Sequence, residues 1–478
     1  MSAGLTGRFN ILQQSPHDFQ PAGEEVPKPT GEASWVPSRY TMRARATDGR
    51  LVLWNSFTGA TSVFRADQAG AIEGMLAKRG FEAAPEGIVK YLFDRGFLIK
   101  KGTDEYARFQ LAYGQEQHRS DRLDLILLSS EDCNFRCVYC YEKFARGTMR
   151  PEVREGIKKL VESRVDRLRT LTIGWFGGEP LYGLPAIDDL APFFSKIAEE
   201  KSLQFHSHMT TNGYLLTPEV AERLLAWGIT QYQITIDGPA VCHNHTRPLR
   251  DGEGSFDVIF ANLQALSRRS ERFVVELRVN FSPQAVPHMD DFLAQVEKEF
   301  RGDTRFRMRF RPVGKWGGDN DENLDVCGMD EGNHLMQEFD RIAQEKGLTL
   351  ADGFRASSKL GSQVCYAARP NNFVIGASGK VMKCTVMLDE DERNVVGTLG
   401  AEGKLEIDYN KVAPWVAPYF ENDTQCQRCV VLPVCQGFSC PLPRVTGAAR
   451  PCIPARSNWK KDLLSAVEHT EPVRRREV

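Results

Sequence analysis

Between residues 122 and 314 the chain alternates short apolar strands with amphipathic helices, and this alternation constrains its fold more than any other feature. The strand segments are RLDLILLSS (122–130), TLTIGWF (170–176), LQFHSHMTT (203–211), QYQITID (231–237), FVVELRVNF (273–281) and RFRMRFRPV (305–313). Helix-period stretches lie between them near 151–166, 185–200, 217–227, 255–268 and 287–300. Pro151 stands at a first-turn position, and Thr217 with Pro218 makes a cap and first turn. Strands joined by helical crossovers lie parallel. Six such units predict an α/β fold, a partial (β/α)6 TIM-like barrel over 116–327 with its chemistry at the C-terminal strand ends.

The flanking segments read differently. Residues 1–40 are rich in Pro, Glu, Gly and Ser without periodicity and are expected to be a flexible leader. Within 41–115, LVLWNSFTGATSVF (51–64) predicts two strands around a Thr58–Gly59 turn. A helix ending at Gly80, a second ending near Gly96 and a short strand follow, the outline of a small winged-helix module. A linking helix is expected in 328–364, a cysteine-dense domain at 365–455, and a C-terminal helix with a basic tail at 456–478.

The cysteines need a chemical explanation. The chain holds twelve in 478 residues, its N-terminus lacks the basic start and apolar run of a secretory signal, and it has no 18-residue apolar stretch. A cytoplasmic location follows as an expectation, and there thiols stay reduced and serve as metal ligands. The net charge of −2 gives no reason to expect nucleic acid or membrane as a partner. Directly after the first barrel strand, Cys133, Cys137 and Cys140 form C-x3-C-x2-C. Three thiolates hold three irons of a four-iron cubane and leave the fourth open, the mark of a reactive site.

With this triplet the chain resembles the radical S-adenosylmethionine (SAM) superfamily. The resemblance implies a 4Fe-4S cluster whose open iron binds the amino and carboxylate groups of SAM. One-electron cleavage then releases a 5′-deoxyadenosyl radical that takes hydrogen from substrate. Gly177-Gly178-Glu179-Pro180 matches the family's GGEP motif, where the carboxylate suits the SAM ammonium. Asn212, in Thr210-Thr211-Asn212-Gly213, matches its TNG segment. Thr235 and Asp237 end the fourth strand and, with Arg247, match SAM-contacting positions. Tyr139 either lies over the adenine or packs. Tyr141, Glu142, Arg278 and Asn280 are expected to line the cavity without assigned catalytic roles.

Downstream stand Cys365 and Cys384, then Cys426, Cys429, Cys435 and Cys440 as C-x2-C-x5-C-x4-C, then Cys452. Seven cysteines exceed one zinc site and suggest two clusters. The region resembles the SPASM domain of peptide-modifying radical SAM enzymes, with x4 where that pattern has x3 before Cys440. The resemblance gives Cys426, Cys429, Cys435 and Cys452 to one auxiliary 4Fe-4S cluster and Cys365, Cys384 and Cys440 to another. Cys327 is the candidate fourth ligand of the second, and Cys242 is expected to pack.

SPASM relatives act on peptides, and the 41–115 module resembles a RiPP recognition element, which binds a precursor peptide by strand addition. The implied function is a maturase that cross-links a ribosomally synthesised precursor peptide, a thioether being favoured over C–C or C–O bonds, with flavodoxin or ferredoxin as electron donor. A sulfatase maturase is the main alternative, but Thr385 stands where those enzymes carry an aspartate general base. An iron–sulfur electron carrier or a peptide-binding protein is the alternative from another class.

Overall fold

The computed structural model describes residues 33–117, 119–144, 147–351, 358–388, 391–437, 440–448, 452–453 and 455–465. The proposed leader up to residue 32 and the basic tail lie outside these. The chain divides into two units, one of residues 1–118, 352–368 and 416–478, the other of residues 119–351 and 369–415.

In the first unit, β1 (Ala33–Pro37) precedes an antiparallel meander of β2 (Thr41–Arg45), β3 (Leu51–Asn55) and β4 (Thr61–Phe64). There follow α1 (Ala66–Ala77), β5 (Phe81–Ala83), α2 (Gly87–Asp94), β6 (Leu98–Lys100) and α3 (Glu105–Gln117). β1 pairs antiparallel with both β5 and β6. The meander turn sits where sequence places it, with Gly59 at φ +72° and its amide on the Asn55 carbonyl at 2.8 Å. Three expectations need correction. The strand β1 begins inside the stretch read as leader. The first helix stops at Ala77 rather than at Gly80, and α3 was not foreseen.

β3 is buried on both faces, and its alternation explains why. Leu51 and Leu53 join Trp35, Ile72, Leu92 and Phe97 in the core of the N-terminal module. Val52 and Trp54 face the other way, onto Val431, Val434, Ile453 and Leu463. The indole of Trp54 donates to the Ser358 carbonyl at 3.1 Å. A third cluster joins Tyr40, Phe109 and Tyr113 to Phe420 and Leu432, with the Phe420 ring 5.2 Å from Phe109 and 4.9 Å from Tyr113. The cysteine segment of this unit is short helical turns, α12 (Thr424–Gln427), α13 (Leu432–Cys435) and α14 (Leu442–Val445), closed by α15 (Ala455–Ser465).

The second unit is the α/β barrel. Its strands β7 (Arg122–Ser130), β8 (Thr170–Gly177), β9 (Gln204–Thr211), β10 (Ile229–Thr235), β11 (Val274–Phe281) and β12 (Phe306–Pro312) pair in sequence order, all parallel. The crossovers are α4 (Pro151–Arg164), α5 (Leu184–Glu200), α6 (Pro218–Ala226), α7 (Ala240–Thr246), α8 (Phe256–Ser267) and α9 (Met289–Phe300). Thr217 caps α6 through its hydroxyl on the Val220 amide. After α10 (Met329–Glu345), β13 (Thr349–Leu350) adds to the edge of β12, but only beside Arg307 and Met308.

The expected boundary at residue 365 is not observed. β14 (Asn372–Ile375) pairs parallel with β7, and β15 (Lys380–Met382), β16 (Val395–Leu399) and β17 (Leu405–Ile407) extend the sheet antiparallel. Residues 369–415, ending in most of α11 (Tyr409–Val416), therefore belong to the barrel unit. The reason is the apolar run Phe373, Val374, Ile375, which is buried and completes the sheet beside β7.

Candidate active site

The loop leaving β7 carries Cys133, Cys137 and Cys140. Backbone bonds tie it to the segment after α7: Arg136 N to Pro248 O at 2.9 Å, Val138 N to Thr246 O at 2.9 Å and Arg250 N to Asn134 O at 2.9 Å. The Phe135 amide points at Cys133 Sγ, 3.3 Å away. Burial raises all three thiols, helped at Cys133 by the Glu179 carboxylate, and Cys140 is pushed up to about 12 with Cys137 adding to the rise. Metal coordination reverses this logic, because it deprotonates a thiol outright. Among the described residues no three His, Cys, Asp or Glu side chains converge to hold a single metal ion. A multi-iron cluster, with one iron to each cysteine, does not require them to.

The end of β8 is pressed against this loop. Gly177 has φ +130°, and a Cβ there would meet the Ser130 carbonyl oxygen at 1.9 Å. A Cβ on Gly178 would lie 2.8 Å from Asp132 O and 3.1 Å from Cys133 Cβ. Only glycine lets the two loops approach this closely. Glu179 is fully buried, and its carboxylate is already occupied: Thr211 Oγ1 donates at 2.7 Å, Leu181 N at 2.9 Å and Asn212 N at 2.7 Å. These bonds lock β8 to β9 and hold the carboxylate in place beside the cysteine loop. Asn212 in turn donates to Asn134 at 2.8 Å, so the TNG segment also braces the cysteine loop.

Tyr139, between the second and third cysteines, is the centre of a buried polar network. Its hydroxyl donates to Asp237 Oδ2 at 2.6 Å and accepts from Arg247 at 2.8 Å and Asn280 at 3.1 Å. Thr246 adds a bond to Asp237 at 2.9 Å. Burial raises the Asp237 carboxyl against the pull of Arg247. Burial also opposes the Arg247 charge, but Cys137, Tyr139 and Asp237 together hold that guanidinium protonated well above its ordinary value. Two atoms of this network, Asp237 Oδ1 and Arg247 Nε, are buried without a hydrogen-bond partner. An orphaned acceptor and an orphaned donor beside a three-cysteine loop fit a zwitterionic ligand such as SAM. Thr235 is buried at the end of β10, in register with Arg278. Glu142 follows the last cysteine, its carboxyl pushed up to about 8 by burial and the Glu131 carboxylate.

In the other unit, Cys426, Cys429, Cys435 and Cys452 line a single pocket with Leu432, Ile453 and Arg456. Burial and mutual repulsion push the Cys426 thiol up to about 11. Arg456, which the sequence reading passed over, donates to Cys452 Sγ at 3.0 Å. Its signal was one helical turn of spacing from Cys452. Cys365 and Cys440 lie in this unit, whereas Cys384 lies in the barrel unit. Cys384 is buried after β15, its amide bonded to Asn394 at 2.8 Å and its sulfur facing the Val386 amide at 3.4 Å. Cys327 lies by the start of α10, where a Cβ on Gly332 would stand 3.6 Å from its Cβ. Cys242 is half-buried on α7.

Comparison with known proteins agrees with this geometry. Residues 127–279 match the Radical SAM superfamily model. The chain is 24% identical over 206 residues to the radical SAM cyclopropyl synthase TigE of Paramaledivibacter caminithermalis, covering 38% of this chain and 42% of that protein. It is 26% identical over 242 residues to the mycofactocin maturase MftC of Mycolicibacterium smegmatis, covering 50% and 58%. The chain thus spans about half the length of these two relatives. A cysteine-type anaerobic sulfatase-maturating enzyme of Clostridium novyi is 24% identical over 338 residues, covering 65% and 86%. In fold, native anSMEcpe with bound AdoMet and Cp18Cys peptide superposes with a TM-score of 0.53 at 18% identity, covering 73% of this chain and 97% of that one. Among the described residues no helix is long and apolar enough to cross a membrane. The segment that resembles the radical SAM superfamily model runs from within β7 to β11 and contains the three-cysteine loop.

Proposed function

We propose that this protein is a radical SAM maturase that cross-links a ribosomally synthesised precursor peptide. The observation that carries the reading is the three-cysteine loop at the barrel mouth, with the orphaned Asp237 Oδ1 and Arg247 Nε beside it. Cys133, Cys137 and Cys140 would hold a 4Fe-4S cluster, and Gly177, Gly178, Glu179, Asn212, Thr235, Asp237 and Arg247 would surround SAM. Together these groups supply a 5′-deoxyadenosyl radical. The chain's own residues position and protect. Arg247 offers a permanent cation for a carboxylate, and Asp237 an acceptor for an ammonium. Tyr139 joins the two, and the apolar barrel wall excludes water.

Peptide as substrate is supported by the curated relatives, two of which are maturases by name. Within the first unit, β4 has one strand neighbour and lies beside α2, with the Ser62 hydroxyl 3.0 Å from the Tyr91 hydroxyl. Such an edge suits strand addition by a precursor peptide. The four-cysteine pocket suits an auxiliary 4Fe-4S cluster, and a flavodoxin or ferredoxin would supply electrons. Formylglycine formation, the sulfatase-maturase reaction, is the second reading. Thr385 disfavours it, because a hydroxyl cannot serve as the base that an aspartate provides.

The test is anaerobic reconstitution with SAM, a reductant and a candidate precursor peptide, followed by high-resolution mass spectrometry. Deoxyadenosine formation with a peptide loss of two hydrogens, both abolished by Cys137→Ala, is expected. Intact clusters giving neither product would sink the enzyme reading.

A further inference from the structure

Charge on the inner face of β11 and β12 is unbalanced. Leu277, Val279 and Phe281 of β11, and Phe306, Met308 and Phe310 of β12, are buried on the outer side. Their alternates share the opposite side, with Arg278 in register with Arg309 and Asn280 with Arg311. That side faces the cysteine loop, since Asn280 donates to the Tyr139 hydroxyl at 3.1 Å.

The acids available there are already committed. Glu276 pairs with Arg309 at 2.6 Å and accepts from Gln233 at 2.8 Å. Arg278 donates through Nε to the neutral amide of Asn280 at 2.9 Å. Arg311 reaches only the thioether of Met336, at 3.5 Å. Among the described residues no carboxylate lies within ion-pair distance of either. Arg311 feels the attraction of Glu276, which is already paired with Arg309, and of Asp340 on α10, whose carboxyl burial raises, which weakens that relief. Arg311 feels both Arg309 and Arg278 as repulsive neighbours. Arg278 is half-buried on β11, and Arg311 is exposed on β12, whose outer edge is paired only beside Arg307 and Met308.

Two guanidinium groups left unpaired and mutually repelling at a barrel mouth are balanced by an anion from outside. We propose that Arg278 and Arg311 form a carboxylate-recognition site for the substrate, taking either an acidic side chain or a C-terminal carboxylate. The inference rests on the peptide reading above. The bound carboxylate would sit next to Asn280, which touches Tyr139, so it would fix which substrate residue faces the open side of the cysteine loop.

The test measures equilibrium binding to anaerobically reconstituted full-length enzyme, with SAM present, by fluorescence anisotropy. The probes are labelled heptapeptides of Gly, Ala and Tyr carrying a central Glu or Gln, each with a free or an amidated C-terminus. At least one carboxylate-bearing class is expected to bind about 10- to 100-fold more tightly than the all-neutral peptide. Which class does so identifies the side-chain or the terminal source. The preference should vanish in Arg278→Gln and Arg311→Gln, and persist in the surface variant Arg301→Gln, with cluster absorbance and circular dichroism unchanged in all three. Equal binding of acidic and neutral peptides, or a preference that survives both variants, overturns the proposal while leaving peptide maturation intact. If no peptide binds but N-acetylglutamate is preferred over N-acetylglutamine in an Arg278-dependent way, the carboxylate site stands and the peptide reading falls.

Discussion

A backbone amide fixes the tautomer of His243. Asp237 N donates to its Nδ1 at 3.1 Å, so the ring proton is on Nε2, 3.1 Å from the Ser255 hydroxyl. That hydroxyl donates onward to the Arg247 carbonyl at 2.7 Å. Burial, reinforced by Arg247, holds the imidazole well below its ordinary value, so it stays neutral and the relay keeps one direction. His243 is thus a positioning residue: it holds the backbone of Asp237 and of Arg247, the two residues with orphaned atoms. His243→Phe fills the space but strands the Asp237 amide and the Ser255 hydroxyl. It is expected to cost about 2–4 kcal/mol in denaturant unfolding. It should also weaken SAM binding with cluster absorbance intact, an effect that a purely structural loss elsewhere would not produce.

At the scale of elements, the barrel strands were legible because β-strands with one face under helices carry period-two alternation, as in Val274–Phe281. The four-cysteine pocket was legible through the resemblance to the SPASM pattern, since spacing groups Cys426, Cys429 and Cys435 on short turns but does not by itself bring in Cys452. Three things were not. Whether 369–415 belongs with the barrel depends on a parallel pairing of β14 with β7 across more than 240 residues of chain, which no local pattern encodes. The hydrogen-bond partners of Glu179 within the protein depend on which donors the fold brings to it, and sequence names the carboxylate but not those donors. Asp340 looks like an ordinary helix-surface acid, yet burial pushes its carboxyl up to about 6 from 3.8 despite Arg311 and Arg309. A carboxyl raised on folding stabilises the fold fully below about pH 3.8, and that contribution is lost as pH rises through about 6. Asp340→Asn should remove this dependence. Relative to wild type, its urea midpoint is expected to gain about 1–3 kcal/mol of stability between pH 4 and pH 8. A parallel shift at both pH values would mean the carboxyl is not buried as described.

At the scale of the whole molecule, the N-terminal module cannot be a detachable reader of peptides, because one of its strands has two cores. Leu51 and Leu53 hold the module together, whereas Val52 and Trp54 are buried against Val431, Val434, Ile453 and Leu463, of which Val431 and Ile453 line the four-cysteine pocket. The first unit is assembled from three stretches distant in sequence, and removing any one exposes the apolar surface of the others. Trp54 tests this, being fully buried with its indole bonded to the Ser358 carbonyl. Trp54→Ala leaves a cavity and an unpaired carbonyl, a loss of about 3–5 kcal/mol. If the module were an appendage, that loss would weaken peptide binding and leave the metal alone. With the proposed auxiliary cluster in the four-cysteine pocket, the shared core predicts a different result: in Trp54→Ala the iron content after reconstitution falls by about one cluster, while iron bound at Cys133, Cys137 and Cys140 stays. Leu53→Ala, on the other face, should destabilise the module with a smaller effect on iron. Iron analysis of the two variants beside Cys137→Ala separates the faces, since only a strand that braces the C-terminal cysteines can change their metal without touching the barrel's.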